Sequence, residues 1–224
     1  MFRHQGKKRA FIHNLRLAAL LSFVAGIVNI SGVLSVQVLT TNVTGHFAFF
    51  AEQILLRNYS GALHFLAFIL SFFLGAFFAS ILTALSTRRN INLPFKWAIG
   101  VEMAILAGIG LGGISAAGPE GFPFVACLLL FAMGIQNSLV TQISHATVRT
   151  THLTGLFTDL GIDISQLLFD KGLDRQAVLK RRIRLRLSIV VCFFGGCILG
   201  GILFSILGFK TLLIGAALLL IALA

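Results

Sequence analysis

Charge is what this chain has least of. Seven Asp and Glu stand against eighteen Lys and Arg in 224 residues, and charged residues make up 11% of the whole while 57% is apolar. A water-soluble domain of this size cannot cover so much apolar surface with so little charge. Cysteine is nearly as scarce. Cys127, Cys192 and Cys197 all lie inside apolar runs, form no even set for a disulfide framework and show no metal spacing, so they read as small core residues. His46, His145 and His152 lack the H-x-x-x-H spacing of a helical metal site. The chain has no P-loop, nucleophile elbow or Rossmann fingerprint. No cofactor, no metal and no enzymatic activity is therefore expected. Two of the three prolines, Pro119 and Pro123, fall in one loop.

What the chain does have is long apolar runs, with a mean hydropathy of +0.96. A helix crosses a bilayer with roughly 20 apolar residues. The expected fold is therefore all-α: a single polytopic membrane domain, 1–224, with spans near 15–39, 61–85, 97–114, 124–140, 187–207 and 211–224. The net charge of +11 is not a nucleic-acid signal, because the basic residues sit between the apolar runs. The lipid bilayer is the expected partner. Arg3, Lys7, Lys8, Arg9 and Arg16 ahead of the first run resemble a signal peptide, but that run is long and has no cleavage site, so it is read as a mature span. With the N-terminus in the cytoplasm, only Arg57 and Lys210 of the eighteen basic residues fall on the outer side. Both termini are then cytoplasmic.

One polar stretch occurs twice. Thr40-Thr41-Asn42-Val43-Thr44-Gly45-His46-Phe47 returns as Thr150-Thr151-His152-Leu153-Thr154-Gly155-Leu156-Phe157. Each copy follows a run carrying Gly-Ile-x-Asn, which ends at Asn29 in the first and, through Gln136, at Asn137 in the second. Further on, Ser71-Phe72-Phe73-Leu74-Gly75 resembles Cys192-Phe193-Phe194-Gly195-Gly196. The motif copies lie 110 residues apart and these strings 121, which fits an insertion in a basic loop at 170–186. Repeat 1 covers about 15–115 and repeat 2 about 122–224. Three spans is an odd number, so the halves enter the membrane from opposite sides, as inverted-topology repeats do in many secondary transporters.

The motif's residue types suit an interrupted backbone. Thr44 and Thr154 are expected as N-caps of short helices, with Gly45 and Gly155 allowing close approach. Two readings follow. The copies are half-sites converging near the bilayer centre, where Asn29, Thr40, Thr41, Asn42, Thr44, Gly45, Gln136, Asn137, Thr150, Thr151, His152, Thr154 and Gly155 bind a small solute. Otherwise they are two capped turns, one on each side. Asn29 and Asn137 either bind solute or hydrogen-bond across the pseudo-axis. Glu102, an intramembrane carboxylate, is a proton-coupling candidate or a boundary residue paired with Lys96. Asp159 and Asp163 share one face of an amphipathic helix at 154–169, opposite Leu156, Leu160, Ile164, Leu167 and Leu168. They relay protons, pair with Arg149 or lie on a solvated cytoplasmic face. Asn42-Val43-Thr44 and Asn58-Tyr59-Ser60 also match the glycosylation pattern.

Taken together, the two Thr-Thr-x-x-Thr-Gly stretches and Gly134-Ile135-Gln136-Asn137-Ser138 resemble the signature stretches of the YoaK-type family, bacterial integral membrane proteins of unknown function. The resemblance spans nearly the whole chain. It implies a six-span inner-membrane protein and supplies no activity. The repeat points to a small secondary transporter or permease of an unidentified solute. The alternative is a non-transporting assembly or sensing partner that docks protein or anionic lipid through its basic cytoplasmic loop. The glycine pairs at 195–196 and 200–201 suit close packing, within the chain or in a homo-oligomer.

Overall fold

A computed structural model describes residues 11–89, 95–112, 122–144, 150–170 and 172–223. The described residues form eight α-helices: α1 (Phe11–Val36), α2 (Val43–Leu55), α3 (Tyr59–Arg88), α4 (Lys96–Gly112), α5 (Phe122–Ile143), α6 (Leu153–Phe169), α7 (Leu173–Leu207) and α8 (Thr211–Leu223). A 3-10 turn, Gly208–Lys210, joins the last two. Four segments are long and apolar enough to cross a membrane: 14–36, 59–88, 122–143 and the continuous 173–223. At 1.5 Å per residue, α4 is about 25 Å long and α8 about 20 Å. They pack against each other rather than standing alone.

Helix α1 runs unbroken through Asn29, Ser31 and Gly32. Ser31 satisfies its hydroxyl on the Ile27 carbonyl one turn back, at 2.8 Å, so it costs the helix no backbone bond. The break comes later. Gln37 adopts a left-handed φ of 56°, and the Val38 N–H bonds back to the Gly32 carbonyl at 3.3 Å. This turns the chain back along α1 towards Asn29.

The basic stretch expected as a loop at 170–186 is helical from Leu173 onward and is continuous with the apolar part of α7. Lys180 through Arg186 have strong helix propensity, and Asp170 ties the helix start by bonding the Gly172 N–H at 2.9 Å and pairing with Arg175 at 2.9 Å.

Packing crosses the halves of the chain. Helix α1 lies on α7 and α3 lies on α5, while α2 packs on α3 and α6 on α7. The most apolar stretches of α1 and α5 are 67% and 61% buried, against 22% for those of α3 and the α7–α8 segment, so α1 and α5 form the centre. The two main crossings use the same device. A Cβ added to Gly26 of α1 would strike the Phe193 carbonyl oxygen of α7, and one on Gly196 would strike the Phe23 carbonyl oxygen. On the other pair, Gly134 of α5 faces the Phe72 carbonyl oxygen of α3 and Gly75 faces that of Phe131. Each crossing thus brings two backbones together through reciprocal glycines. Cys197 sits at the first, its thiol donating to the Gly26 carbonyl at 3.4 Å. Gly200 also closes on α1, at Ile27. These glycines therefore serve packing inside the chain. The outer faces of α3 and α7 are apolar, with Phe73, Phe77, Val191, Phe194 and Ile202 all exposed.

Candidate functional site

Both motif copies take the same local form. From residue 40 to 49 and from 150 to 159 the pattern of buried, half-buried and exposed positions is identical. Thr40 and Thr150 are fully buried, and neither hydroxyl has a partner. Thr41 donates to the Asn29 side-chain oxygen at 3.0 Å, and Thr151 donates to that of Asn137 at 2.6 Å. Each asparagine thereby holds the motif that follows it in its own half of the chain, and the two asparagines do not bond each other. That contact fixes the motif part-way back along the parent helix.

The helix caps differ from expectation. Asn42, not Thr44, is the N-cap of α2, and its side-chain oxygen accepts from the Gly45 N–H at 3.1 Å. His152, not Thr154, holds that position in α6 and makes no side-chain cap bond. The two threonines lie inside the first turn. Asparagine reaches the third N–H more readily than a threonine two residues further on, which is already helical. The glycines have a matching reason: a Cβ on Gly45 would lie 3.1 Å from the Asn42 amide, and one on Gly155 would run into the His152 ring. Asn58 repeats the arrangement at the start of α3, accepting from Gly61 N–H at 3.2 Å. Asn-x-Thr/Ser-Gly is thus a capping signature at both of the sites that matched the glycosylation pattern.

The motifs open on one cavity of about 930 Å³. Asn29, Thr41, Asn42, Thr44 and Gly45 line it from the first half, and Asn137, Thr151, His152 and Thr154 from the second. Thr40, Thr150, Gln136 and Gly155, expected in the same set, are not on its wall. Gln136 is fully buried on α5, with neither amide atom partnered. The wall also includes Thr141, Leu39, Phe72 and Phe193, which sequence reasoning did not assign to a site. Phe72 and Phe193 are the matched members of the repeated Phe-Phe strings, and that repetition was the available signal. Phe72 sits about 20 Å from the start of α3 and about 24 Å from its end, so the cavity lies halfway along that helix.

Each short helix is fastened to its long neighbour in a different way. In the first half, Phe49 packs tilted on Phe65 with ring centroids 5.3 Å apart, and His46 meets Phe68 edge-on at 5.5 Å. His46 is buried and its Nε2–H donates to the Leu39 carbonyl at 2.8 Å. Burial pushes the imidazole below its usual value, and the Leu39 bond offsets this only in part. In the second half, offsets of 110 and 121 place Asp159 where Phe49 stands, Asp163 where Gln53 stands and Arg186 where Phe65 stands. Arg186 pairs with Asp159 at 3.0 Å and with Asp163, and also donates to the Asp159 carbonyl at 3.1 Å.

The expectation of a solvated acidic face therefore fails for Asp163, which is 3% exposed and lies on the buried side of α6 with Leu156 and Leu160. The spacing 156, 160, 163 is itself helical, and a nearby guanidinium makes the aspartate admissible there. Ile164 and Leu168, assigned to the packed face, are exposed instead. Arg149 and His145 lie outside the described residues. Glu102 is 1% exposed on α4, and its Oε1 has no partner, so it is not a boundary residue held by Lys96.

Fold and cavity together define a class: an all-α protein with several helices of membrane-crossing length and apolarity, and a cavity of mixed polar and apolar lining between two copies of one motif. Its family can be stated. The chain belongs to the family described as protein of unknown function DUF1275, which it matches over residues 17–224. No curated protein and no solved structure gives a match.

Proposed function

We propose that this is a six-span inner-membrane protein with both termini cytoplasmic, built as an inverted-topology repeat, and that it is a small secondary transporter of a polar solute. The observation that carries the proposal is the single cavity onto which both motif copies open, halfway along α3. Two capped turns at opposite faces of a membrane would not share a wall. The cross-half pairing and the reciprocal glycines support a pseudo-two-fold relation between α1–α4 and α5–α8. Helix α2 is about 20 Å long and runs antiparallel to the first turns of α3, so it serves as a half-helix and leaves three crossings per repeat.

The same contacts support a division into two moving bodies that cuts across the sequence halves. One is α1 with α7 and α6; the other is α5 with α3 and α2. Access alternates as these shift about the α1–α5 contact, while the Arg186 pairs hold α6 on α7 and the Phe49–Phe65 contact holds α2 on α3 within each body. Glu102, a buried carboxyl without a cation, is the proton-coupling group.

The test is cysteine accessibility. Thr44→Cys and Thr154→Cys are placed in a cysteine-free background and treated with a membrane-impermeant maleimide in right-side-out and inverted vesicles. Transport requires each position to be labelled from both sides. Labelling of each from one side only would mean two separate turns and no transport site.

A second function has an observation of its own. The first fourteen residues of α7 carry Arg175, Lys180, Arg181, Arg182, Arg184 and Arg186, and exposed Leu168, Phe169 and Leu173 stand beside them. Basic and apolar groups side by side suit an anionic membrane surface. If docking there is the function, neutralising Lys180, Arg181, Arg182 and Arg184 abolishes it while cavity substitutions leave it intact.

A further inference from the structure

We propose that the solute taken by this cavity carries no net charge. The proposal rests on the transport function above and narrows its substrate class. The wall mixes Thr and Asn side chains with apolar ones, Leu39, Val43, Ala48, Phe72, Leu153 and Phe193, and among the described residues no Lys, Arg, Asp or Glu is part of it. Its polar groups are threonine hydroxyls and asparagine amides, with His152 the one titratable side chain among them. Arg186 is already held by Asp159 and Asp163 further along α6. The helix N-termini do not replace a counter-ion in equal measure, because Asn42 already occupies the Gly45 N–H of α2.

An ion entering such a site gives up its hydration and meets no opposite charge, at a cost of several kcal/mol. A neutral molecule pays no such penalty. Its hydroxyl, amide or carbonyl groups find both donors and acceptors on the two Thr–Asn pairs. Phe72 and Phe193 offer it two matched apolar faces. The class that fits is a small, uncharged organic solute with several hydrogen-bonding groups and one apolar face. It is small enough to leave the reciprocal glycine crossings undisturbed.

The experiment measures the cavity's own electrostatics and needs no knowledge of the solute. Ala48→Cys and Thr154→Cys proteins, otherwise cysteine-free, are reacted in turn with the 2-hydroxyethyl, 2-sulfonatoethyl and 2-trimethylammonioethyl methanethiosulfonates. Each rate is divided by that of the same reagent with a free thiol in solution. Ala48 lines the wall and makes no side-chain hydrogen bond, so its substitution preserves the fold if Thr154→Cys does not. The hydroxyethyl reagent is expected to exceed both charged reagents by at least about tenfold at both positions. A sulfonate rate equal to or above the neutral one would assign an anion, and the same result for the ammonium reagent would assign a cation; either overturns the proposal. Reaction from one side only defeats alternating access, yet still reads the charge preference, so the two failures are distinct.

Discussion

Replacing Arg186 with phenylalanine tests whether the two halves use interchangeable fastenings. The Asp163 side chain is 5% exposed and that of Asp159 53%, so the two carboxylates are not equal partners of Arg186. Losing the guanidinium strands Asp163 in a buried place, which costs about 3–5 kcal/mol. Losing the contact with Asp159 adds at most about 1 kcal/mol, because that group stays in water. The first half shows what else fits the same place: Phe49, Gln53 and Phe65, with the rings 5.3 Å apart. A triple variant, Asp159→Phe, Asp163→Gln and Arg186→Phe, therefore rebuilds the first crossing in the second half. An aromatic pair contributes about 0.5–1.5 kcal/mol beyond its buried area. The triple variant is expected to recover most of the loss seen with Arg186→Phe alone. Unfolding by SDS titration in mixed micelles, followed by far-UV circular dichroism, measures both. A cost under about 1 kcal/mol for the single variant, or a triple variant no more stable than the single, would refute the reasoning.

Four further outcomes are expected. Gly26→Ala and Gly134→Ala should each destabilise by about 1–3 kcal/mol in the same titration, because the added Cβ meets a backbone carbonyl that has no rotamer to yield. Thr41→Val and Thr151→Val should each remove about 1 kcal/mol and raise the maleimide labelling rate of a cysteine at position 44 or 154 in the same half. His46 is held below its usual 6.5, so its neutral form is the folded one; its stabilising effect is complete above pH 6.5 and is lost as pH falls towards the lowered value. The thermal midpoint should drop over that window in the native protein and not in His46→Leu, which installs the residue found at 156 in the second copy. Glu102→Gln should fold normally and abolish any proton-linked flux in proteoliposomes, whereas retained flux would remove Glu102 from the coupling role.

The helices were legible because apolar run length and residue type set them locally. The repeat was legible because Thr and Gly at matched positions do the same local job twice: Thr41 and Thr151 each bond an asparagine of the preceding helix, and Gly45 and Gly155 each make room for the residue at the cap. Legibility failed where partners lay far away in sequence. Asp163 belongs inside only because Arg186 arrives 23 residues later, and a helical wheel drawn from 154–169 alone assigns it to water. Arg186 was counted with a loop because its charge resembles that of its neighbours, although it alone among the described basic residues of that stretch is turned inward. The capping role fell to Asn42 rather than Thr44 because the choice depends on where the first helical turn starts, a boundary the sequence marks only weakly. Phe72 and Phe193 were visible as a repeated string, but nothing local says that their side chains end on a cavity wall.

The reciprocal glycine crossings also impose a schedule on synthesis. Gly75 and Gly134 are 59 residues apart, while Gly26 and Gly196 are 170 apart. At about 5–20 residues per second, the α3–α5 pair has both members about 3–12 s after its first is made, and the α1–α7 pair waits about 8–35 s. During that wait α1 holds Asn29 and the first motif without the helix that covers them. The first helix to be made thus waits longest for its mate, and a ribosome stalled before α7 leaves an orphan α1 for membrane quality control to recognise.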